Sequence, residues 1–176
     1  MQQKTVADYI TTIPDFPEEG ILFRDITTVL QDADGFALAL DGLAALLDGV
    51  EFDAIAGAES RGFIFGAPLA ARFHKPFLLV RKKGKLPRET VSMEYALEYG
   101  TAEIEMHTDA VKKGQRIVIV DDLIATGGTI KAAAKLIEML GGEVAKIVFL
   151  VELRGLNGRA ALEGYDVDSV VQYEGK

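Results

Sequence analysis

Arg116-Ile117-Val118-Ile119-Val120-Asp121-Asp122-Leu123-Ile124-Ala125-Thr126-Gly127-Gly128-Thr129 is the stretch that decides the fold. Ile117 to Val120 are apolar at every position and mostly β-branched, the pattern of a strand buried on both faces in a parallel sheet. Thr129 onward reads as a helix. The segment between them therefore stands at the carboxyl end of a sheet strand, the end at which open α/β sheets bind ligands. Small residues and glycines leave the backbone N–H groups at the helix start uncovered, and such groups cradle phosphate. Asp121 and Asp122 would repel a phosphate, so they suit the hydroxyls of a sugar attached to it, or a cation riding with it. Phosphate plus diol is the signature of a ribose phosphate. No Lys follows the glycines and no G-x-G-x-x-G follows the strand, which sets aside the Walker A loop and the dinucleotide fingerprint.

The composition around this motif narrows the class. A chain of 176 residues fits one domain with a real core, and 49% hydrophobic with 26% charged residues describes a globular protein rather than a disordered one. It has no cysteine, which excludes disulfides and cysteine-based metal or nucleophile chemistry. A net charge of −8 argues against a nucleic-acid surface. The N-terminus lacks a basic region followed by an apolar run, and no apolar stretch reaches the ~20 residues of a membrane helix. The expectation is a cytoplasmic protein with no membrane or nucleic-acid partner.

Strands and helices alternate along the chain. Val6 to Ile10 read as a short helix, Ile13 to Ile26 as an irregular arm with Pro14, Pro17 and Gly20, and Phe36 to Leu47 as a helix. Asp53 to Gly57 and Phe77 to Val80 read as strands either side of a small-residue helix, Gly62 to Phe73. Met93 to Met106 hold two strands around Gly100. A helix from Ile130 to Leu140 is closed by Gly141-Gly142. A long strand follows from Val144 to Leu153, then a helical turn at Gly158 to Leu162 and a last strand at Ser169 to Tyr173. This alternation predicts an α/β fold with a mainly parallel sheet and helices on both faces.

A second anion loop, Ala56-Gly57-Ala58-Glu59-Ser60-Arg61-Gly62-Phe63, repeats the logic of the first at another strand end. Arg61 offers a fork that grips phosphate oxygens, and a cation at a helix start opposes the helix dipole unless an anion is near. Arg81-Lys82-Lys83-Gly84-Lys85 follows a further strand. By itself such a run is a solvated turn as readily as an anion site; at a strand's carboxyl end in an acidic chain, anion binding is at least as good a reading.

These motifs, with Ile13-Pro14-Asp15-Phe16-Pro17, Gly20 to Thr27, R-G-F-I-F-G and L-E-Y-G, resemble the adenine phosphoribosyltransferases of the type I phosphoribosyltransferase family. The resemblance runs from about Asp8 to Glu174. It implies the type I fold, one domain over 1–176, with a small N-terminal arm or hood (1–33) over a base site and a core (34–176) whose lid spans about 84–100. It implies transfer of the 5-phosphoribosyl group from phosphoribosyl diphosphate (PRPP) to adenine, giving AMP and diphosphate in purine salvage.

By the same resemblance, the backbone at Leu22, with Arg24 and Leu123, would bind the base, although from residues alone Leu22 and Leu123 could be core and Arg24 could bridge an acid. Glu98 would act as general acid or base, and Tyr99 beside it would join the residues that bind PRPP or AMP. Ser60, Arg61, Arg81, Lys82 and Lys85 would meet the diphosphate, Asp121 and Asp122 the ribose hydroxyls, and Ala125, Thr126, Gly127, Gly128 and Thr129 the 5′-phosphate. Mg²⁺ would arrive with PRPP, held by substrate oxygens and water, and the family is typically a homodimer. Glu19 and Thr28 depart from the family's usual residues beside the arm. The rival readings are a phosphoribosyltransferase for another base and a non-catalytic PRPP or purine sensor.

Overall fold

The computed structural model describes residues 3–97 and 99–175. A single 3₁₀ turn, Val6–Tyr9, leads into a two-stranded antiparallel hairpin of β1 (Thr11–Pro14) and β2 (Leu22–Asp25). The arm is thus not irregular as its prolines suggest. Pro17 and Gly20 fall in the connection, where Asp15 accepts the Gly20 N–H at 2.8 Å and Gly20 takes φ +86°. The Thr-Thr-Ile and Leu-Phe segments either side keep strand geometry, and Phe16 packs edge-on against Phe23.

A one-turn helix, α1 (Thr27–Leu30), precedes α2 (Ala33–Leu46). The second helix starts earlier than its apolar spacing predicts because Asp32 caps it, accepting the N–H groups of Asp34 at 2.9 Å and Gly35 at 3.0 Å. Its buried stripe is Gly35, Ala39 and Leu43, one helical face at i+4 spacing.

β3 (Ala54–Ala58), α3 (Arg61–Arg72) and β4 (Phe77–Lys82) form the first parallel unit. After β5 (Thr90–Ala96) and β6 (Thr101–His107) come β7 (Arg116–Ile124), α4 (Gly128–Met139), β8 (Glu143–Leu153), the 3₁₀ turns Arg154–Leu156 and Gly158–Leu162, and β9 (Val167–Tyr173). The main sheet has seven strands in the order β5-β6-β4-β3-β7-β8-β9. Strands β4, β3, β7, β8 and β9 run parallel; β5 and β6 add an antiparallel flap. The 84–100 lid segment contains β5, which starts at Thr90 rather than at Met93 as the sequence predicts, and its Val91, Met93 and Tyr95 face the core at period two.

The sheet divides the core in two. Ile117, Ile119, Ile147 and Phe149 pack under α4, whereas Val118, Val120, Val148 and Leu150 pack under α2 and α3. Strict alternation on adjacent central strands explains why both read as unbroken apolar runs. β7 continues past Val120 through Asp121, Asp122, Leu123 and Ile124, so the acids lie inside the strand and the loop shrinks to Ala125–Gly127.

Helix α3 approaches the sheet closely at glycines on both. A Cβ at Gly66 of α3 would stand 2.5 Å from the Phe77 ring, and one at Gly57 of β3 2.8 Å from the same ring. Replacing Gly66 by Ala is therefore expected to cost about 1–3 kcal/mol by overpacking. Adding Phe77→Leu should recover part of that loss, so urea unfolding of the two single variants and the double variant should show a coupled, non-additive pair.

Candidate active site

Strands β3, β4 and β7 end on the same edge of the sheet; the residues that follow β3 and β7 line two cavities there, whereas Arg81, Lys82 and Lys85 line neither. After β7, Ala125-Thr126-Gly127 turns into α4 with Gly127 at φ +82°, a left-handed conformation that favours glycine. The N-terminal N–H groups of α4 open into a cavity of about 280 Å³ that Glu59, Arg61, Asp121 and residues 125–129 line. Beside it lies a second cavity of about 610 Å³, mainly apolar, under the β1–β2 hairpin. Leu22, Arg24, Asp25, Asp122, Leu123 and Leu156 are among its walls. Arg61 and Leu123 line both, so the two cavities adjoin.

The adjacent acids divide between them, Asp121 on the phosphate-loop cavity and Asp122 on the arm cavity. Arg61, at the first position of α3, pairs with Asp122 at 2.7 Å. Its head is thus occupied by a carboxylate, the anion that its place on the helix dipole calls for. Burial, and next to it the neighbouring charge of Asp122, push the Asp121 carboxyl well above the ordinary carboxylate range, with Arg61 acting weakly the other way. Two carboxyl groups side by side in a dry setting favour an arriving hydroxyl donor or cation.

The basic turn after β4 is held from below by two carboxylates. Glu59 accepts the Lys82 N–H at 2.6 Å and the Arg81 guanidinium at 3.3 Å. Glu105, almost fully buried, accepts the N–H groups of Lys85 at 3.1 Å and Leu86 at 2.9 Å. Burial pushes the Glu105 carboxyl up, yet these donors and Thr90 together hold it below its ordinary value. With the backbone fixed, Lys82 and Lys85 stand exposed at the strand end. The Ser60 side of the other loop is also exposed, and the Glu59–Ser60 peptide bond is cis.

In the arm, Arg24 makes no ion pair among the described residues. It donates to the Thr12 hydroxyl at 2.5 Å and lies 3.9 Å over the Tyr173 ring, while its buried Nε has no partner. Asp25 instead caps the next turn, accepting the N–H and hydroxyl of Thr27 at 2.8 and 2.7 Å. Leu22 is half-exposed at the cavity mouth and stands opposite Pro14, which has no N–H to give the ladder. Thr129 donates to the Tyr95 hydroxyl at 3.1 Å, tying the β5–β6 flap to the phosphate loop. Tyr99 is exposed near the flap tip and lines neither cavity, and Glu98 lies outside the described residues.

The model of the phosphoribosyl transferase domain matches residues 27–173. The chain belongs to the phosphoribosyl transferase family. It is 68% identical over 173 residues to the adenine phosphoribosyltransferase of Agathobacter rectalis, covering 98% of this chain and 99% of that protein. The crystal structure of the adenine phosphoribosyltransferase from Thermoanaerobacter pseudethanolicus superposes with a TM-score of 0.91 at 57% identity, over 96% of this chain and 98% of the other. That of the Saccharomyces cerevisiae enzyme, complexed with an imino-altritol bisphosphate and adenine, superposes with a TM-score of 0.87 at 37% identity, over 94% and 96%. The fold is therefore the type I phosphoribosyltransferase fold.

Several walls of this phosphoribosyl transferase site were not singled out from sequence. Glu59, in the second anion loop, carried no role; Leu153 read as a strand residue and Leu156 had no reading, while Tyr173, read as the end of the last strand, lies under Arg24 rather than on either cavity wall. A further depression of about 840 Å³ lies at the opposite end of the strands, where Asp41 pairs with Arg72 and Arg116 with Glu143.

A carboxyl whose native pKa is raised makes folding less favourable as pH climbs from the ordinary carboxylate value through the raised one. Asp121→Asn removes that opposition and can still accept the Asp122 N–H. The variant should melt several °C above the parent at neutral pH, the gap closing as pH falls toward about 4, while its affinity for a ribose phosphate drops. Thermal melts across pH, with ligand titration, measure both.

Proposed function

We propose that this phosphoribosyl transferase joins adenine to the 5-phosphoribosyl group of PRPP, giving AMP and diphosphate. The observation that carries the reading is the adjoining pair of cavities, one built around a helix N-terminus and the other apolar and roofed by the arm, with Asp121 and Asp122 between them. Relatives that are 68% and 69% identical to the chain bear the name adenine phosphoribosyltransferase.

The 5′-phosphate sits on Ala125 to Thr129, and Asp121 and Asp122 take the ribose hydroxyls. Ser60, Arg61, Arg81, Lys82 and Lys85 surround the diphosphate, whose negative charge grows as its bond to C1′ breaks. Adenine enters the arm cavity with Leu123 against its ring and Arg24 at its edge. Strand β2 belongs to a two-stranded sheet, so one of its edges has no strand partner, and Leu22 offers backbone groups there to a 6-amino purine. A 6-oxo purine reverses donor and acceptor at N1 and the exocyclic group, leaving a buried polar group unpaired at a cost of about 1–3 kcal/mol or more. N9 bonds to C1′ as diphosphate leaves, and the proton displaced from the imidazole ring passes to a base, assigned to Glu98 beside Tyr99.

Mg²⁺ fits the site through substrate oxygens and water. Burial first, and then the neighbouring charge of Asp122, raise the Asp121 carboxyl, and positive charge relieves the second of these. The ion's contribution would be to neutralise the departing diphosphate. One domain, with residues 1–33 as hood and 84–100 as lid, completes the reading. So does a homodimer: β4 pairs with β6 only at Arg81 and Lys82, leaving the Phe77–Leu79 edge open with Leu79 exposed. No helix among the described residues is long and apolar enough to cross a membrane, and a cytoplasmic location is part of the same proposal.

Incubation with PRPP, Mg²⁺ and one base at a time, followed by chromatography of nucleotide and diphosphate, tests the reaction. AMP is expected from adenine, with hypoxanthine and guanine at least ~100-fold poorer in kcat/KM. Equal turnover of a 6-oxo purine overturns the base assignment, and PRPP binding without any product overturns the enzyme.

A further inference from the structure

The phosphate loop is packed from behind by a segment that the reaction itself does not use. Gly158 lies so close that a Cβ on it would stand 2.4 Å from the Ala125 carbonyl and 2.7 Å from Ile124. Gly127 is equally tight from the other side, its Cβ position 2.7 Å from the Gly158 carbonyl. The loop's backbone therefore has its place set by where residue 158 is held.

What holds residue 158 is the next side chain. Arg159 forks onto Glu152, Nε to Oε1 at 2.7 Å and Nη2 to Oε2 at 2.8 Å, and Nη1 donates to the Val167 carbonyl at 2.7 Å. Glu152 is only 4% exposed and also accepts the Ser169 hydroxyl at 2.6 Å. It stands in register beside Ile124, the last residue of β7. The hydrogen bonds of Arg159, partly opposed by burial and reinforced by Ser169, hold the Glu152 carboxyl below its ordinary value, so the pair stays charged through the neutral range. A planar fork on a buried carboxylate has little rotational freedom, which suits it to fixing a loop rather than merely attaching it.

We propose that the Arg159–Glu152 ion pair is a positioning device that sets the phosphate loop through Gly158 and so tunes affinity for the 5′-phosphate of PRPP. Arg159 touches neither cavity and acts only through its neighbour. The inference rests on the reading of PRPP as substrate, and the wild-type protein tests that reading by itself: failure to bind PRPP sinks the reading, whereas binding leaves the variants to decide the inference.

PRPP binding by calorimetry, and kcat with KM for each substrate, are compared in the wild type, Arg159→Ala and Arg159→Lys. Arg159→Ala is expected to raise the Kd and KM for PRPP about ten-fold, the order of a lost charged hydrogen bond, with kcat and the adenine KM within about two-fold. Arg159→Lys keeps the charge beside Glu152 and loses the fork, and should fall between them. General destabilisation would instead lower kcat through the active fraction and leave both KM values in place. If Arg159→Ala does not fold, Arg159→Lys decides on the same readouts. A folded variant that binds PRPP as tightly as the wild type, or one whose adenine KM rises as much as its PRPP KM, overturns the proposal.

Discussion

Burying a strand on both faces and then placing two acids within it imposes a constraint that the rest of this molecule answers. Strand β7 is apolar from Ile117 to Val120 because helices cover it on either side, and its backbone is satisfied by β3 and β8. Asp121 and Asp122 interrupt the apolar run within the strand, before Leu123 and Ile124 resume it, and an unpaired buried carboxylate is costly. The two acids meet that cost unevenly. Asp122 obtains Arg61, whereas Asp121 remains dry beside a like charge and pays in a raised pKa. The position is poor for stability and well placed for meeting a sugar diol, the pattern of a site where local stability is given up for binding.

The neighbouring strand ends solve the same problem in the opposite sense. Glu59 and Glu105 are acids placed beneath a basic turn, spending their acceptor capacity on backbone N–H groups rather than on lysine heads. The turn is thereby rigid in backbone while Lys82 and Lys85 stand exposed. A charge run that would be a solvated corner elsewhere is held on a fixed backbone beside Glu59, itself a wall of the phosphate-loop cavity. One hydrogen bond between the flap and the loop, Thr129 to Tyr95, falls on the second residue of the helix after the loop. A phosphate that claims the Thr129 hydroxyl therefore competes with that hydrogen bond.

Which parts were legible in sequence follows from how local each determinant is. The central strands announced themselves because residues covered on both faces have no polar alternation to confuse with anything else. The start of α2 did not, because it is set by the Asp32 side chain, outside the apolar period. The β1–β2 hairpin was hidden by Pro14, Pro17 and Gly20, which describe the connection and say nothing of the Thr and Leu-Phe segments flanking it. At the site, the two loops and the acids could be read as chemistry. Their partition could not: that Asp121 opens on one cavity and Asp122 on the other depends on strand continuation past Val120. Arg24's seat over Tyr173 joins residues almost a chain length apart. Glu98 owed its place to resemblance alone and lies outside the described residues.

Long-range pairing also explains why the phosphate loop can be so lean. A loop of Ala, Thr and Gly exposes its N–H groups because it has no side chains large enough to pack, and for the same reason it cannot hold its own shape. Rigidity has to come from behind, from backbone pressed on backbone at Gly158 and Gly127, where any Cβ would intrude. Such a contact transmits position only if its far side is anchored. Gly158 by itself supplies none of that stiffness. The bidentate arginine on a buried glutamate does, at the cost of desolvating two charges that are worth little as raw stability. The pair makes physical sense as a fixture for the loop, since an apolar pair of similar volume would fill the same space and leave the register of residue 158 undetermined.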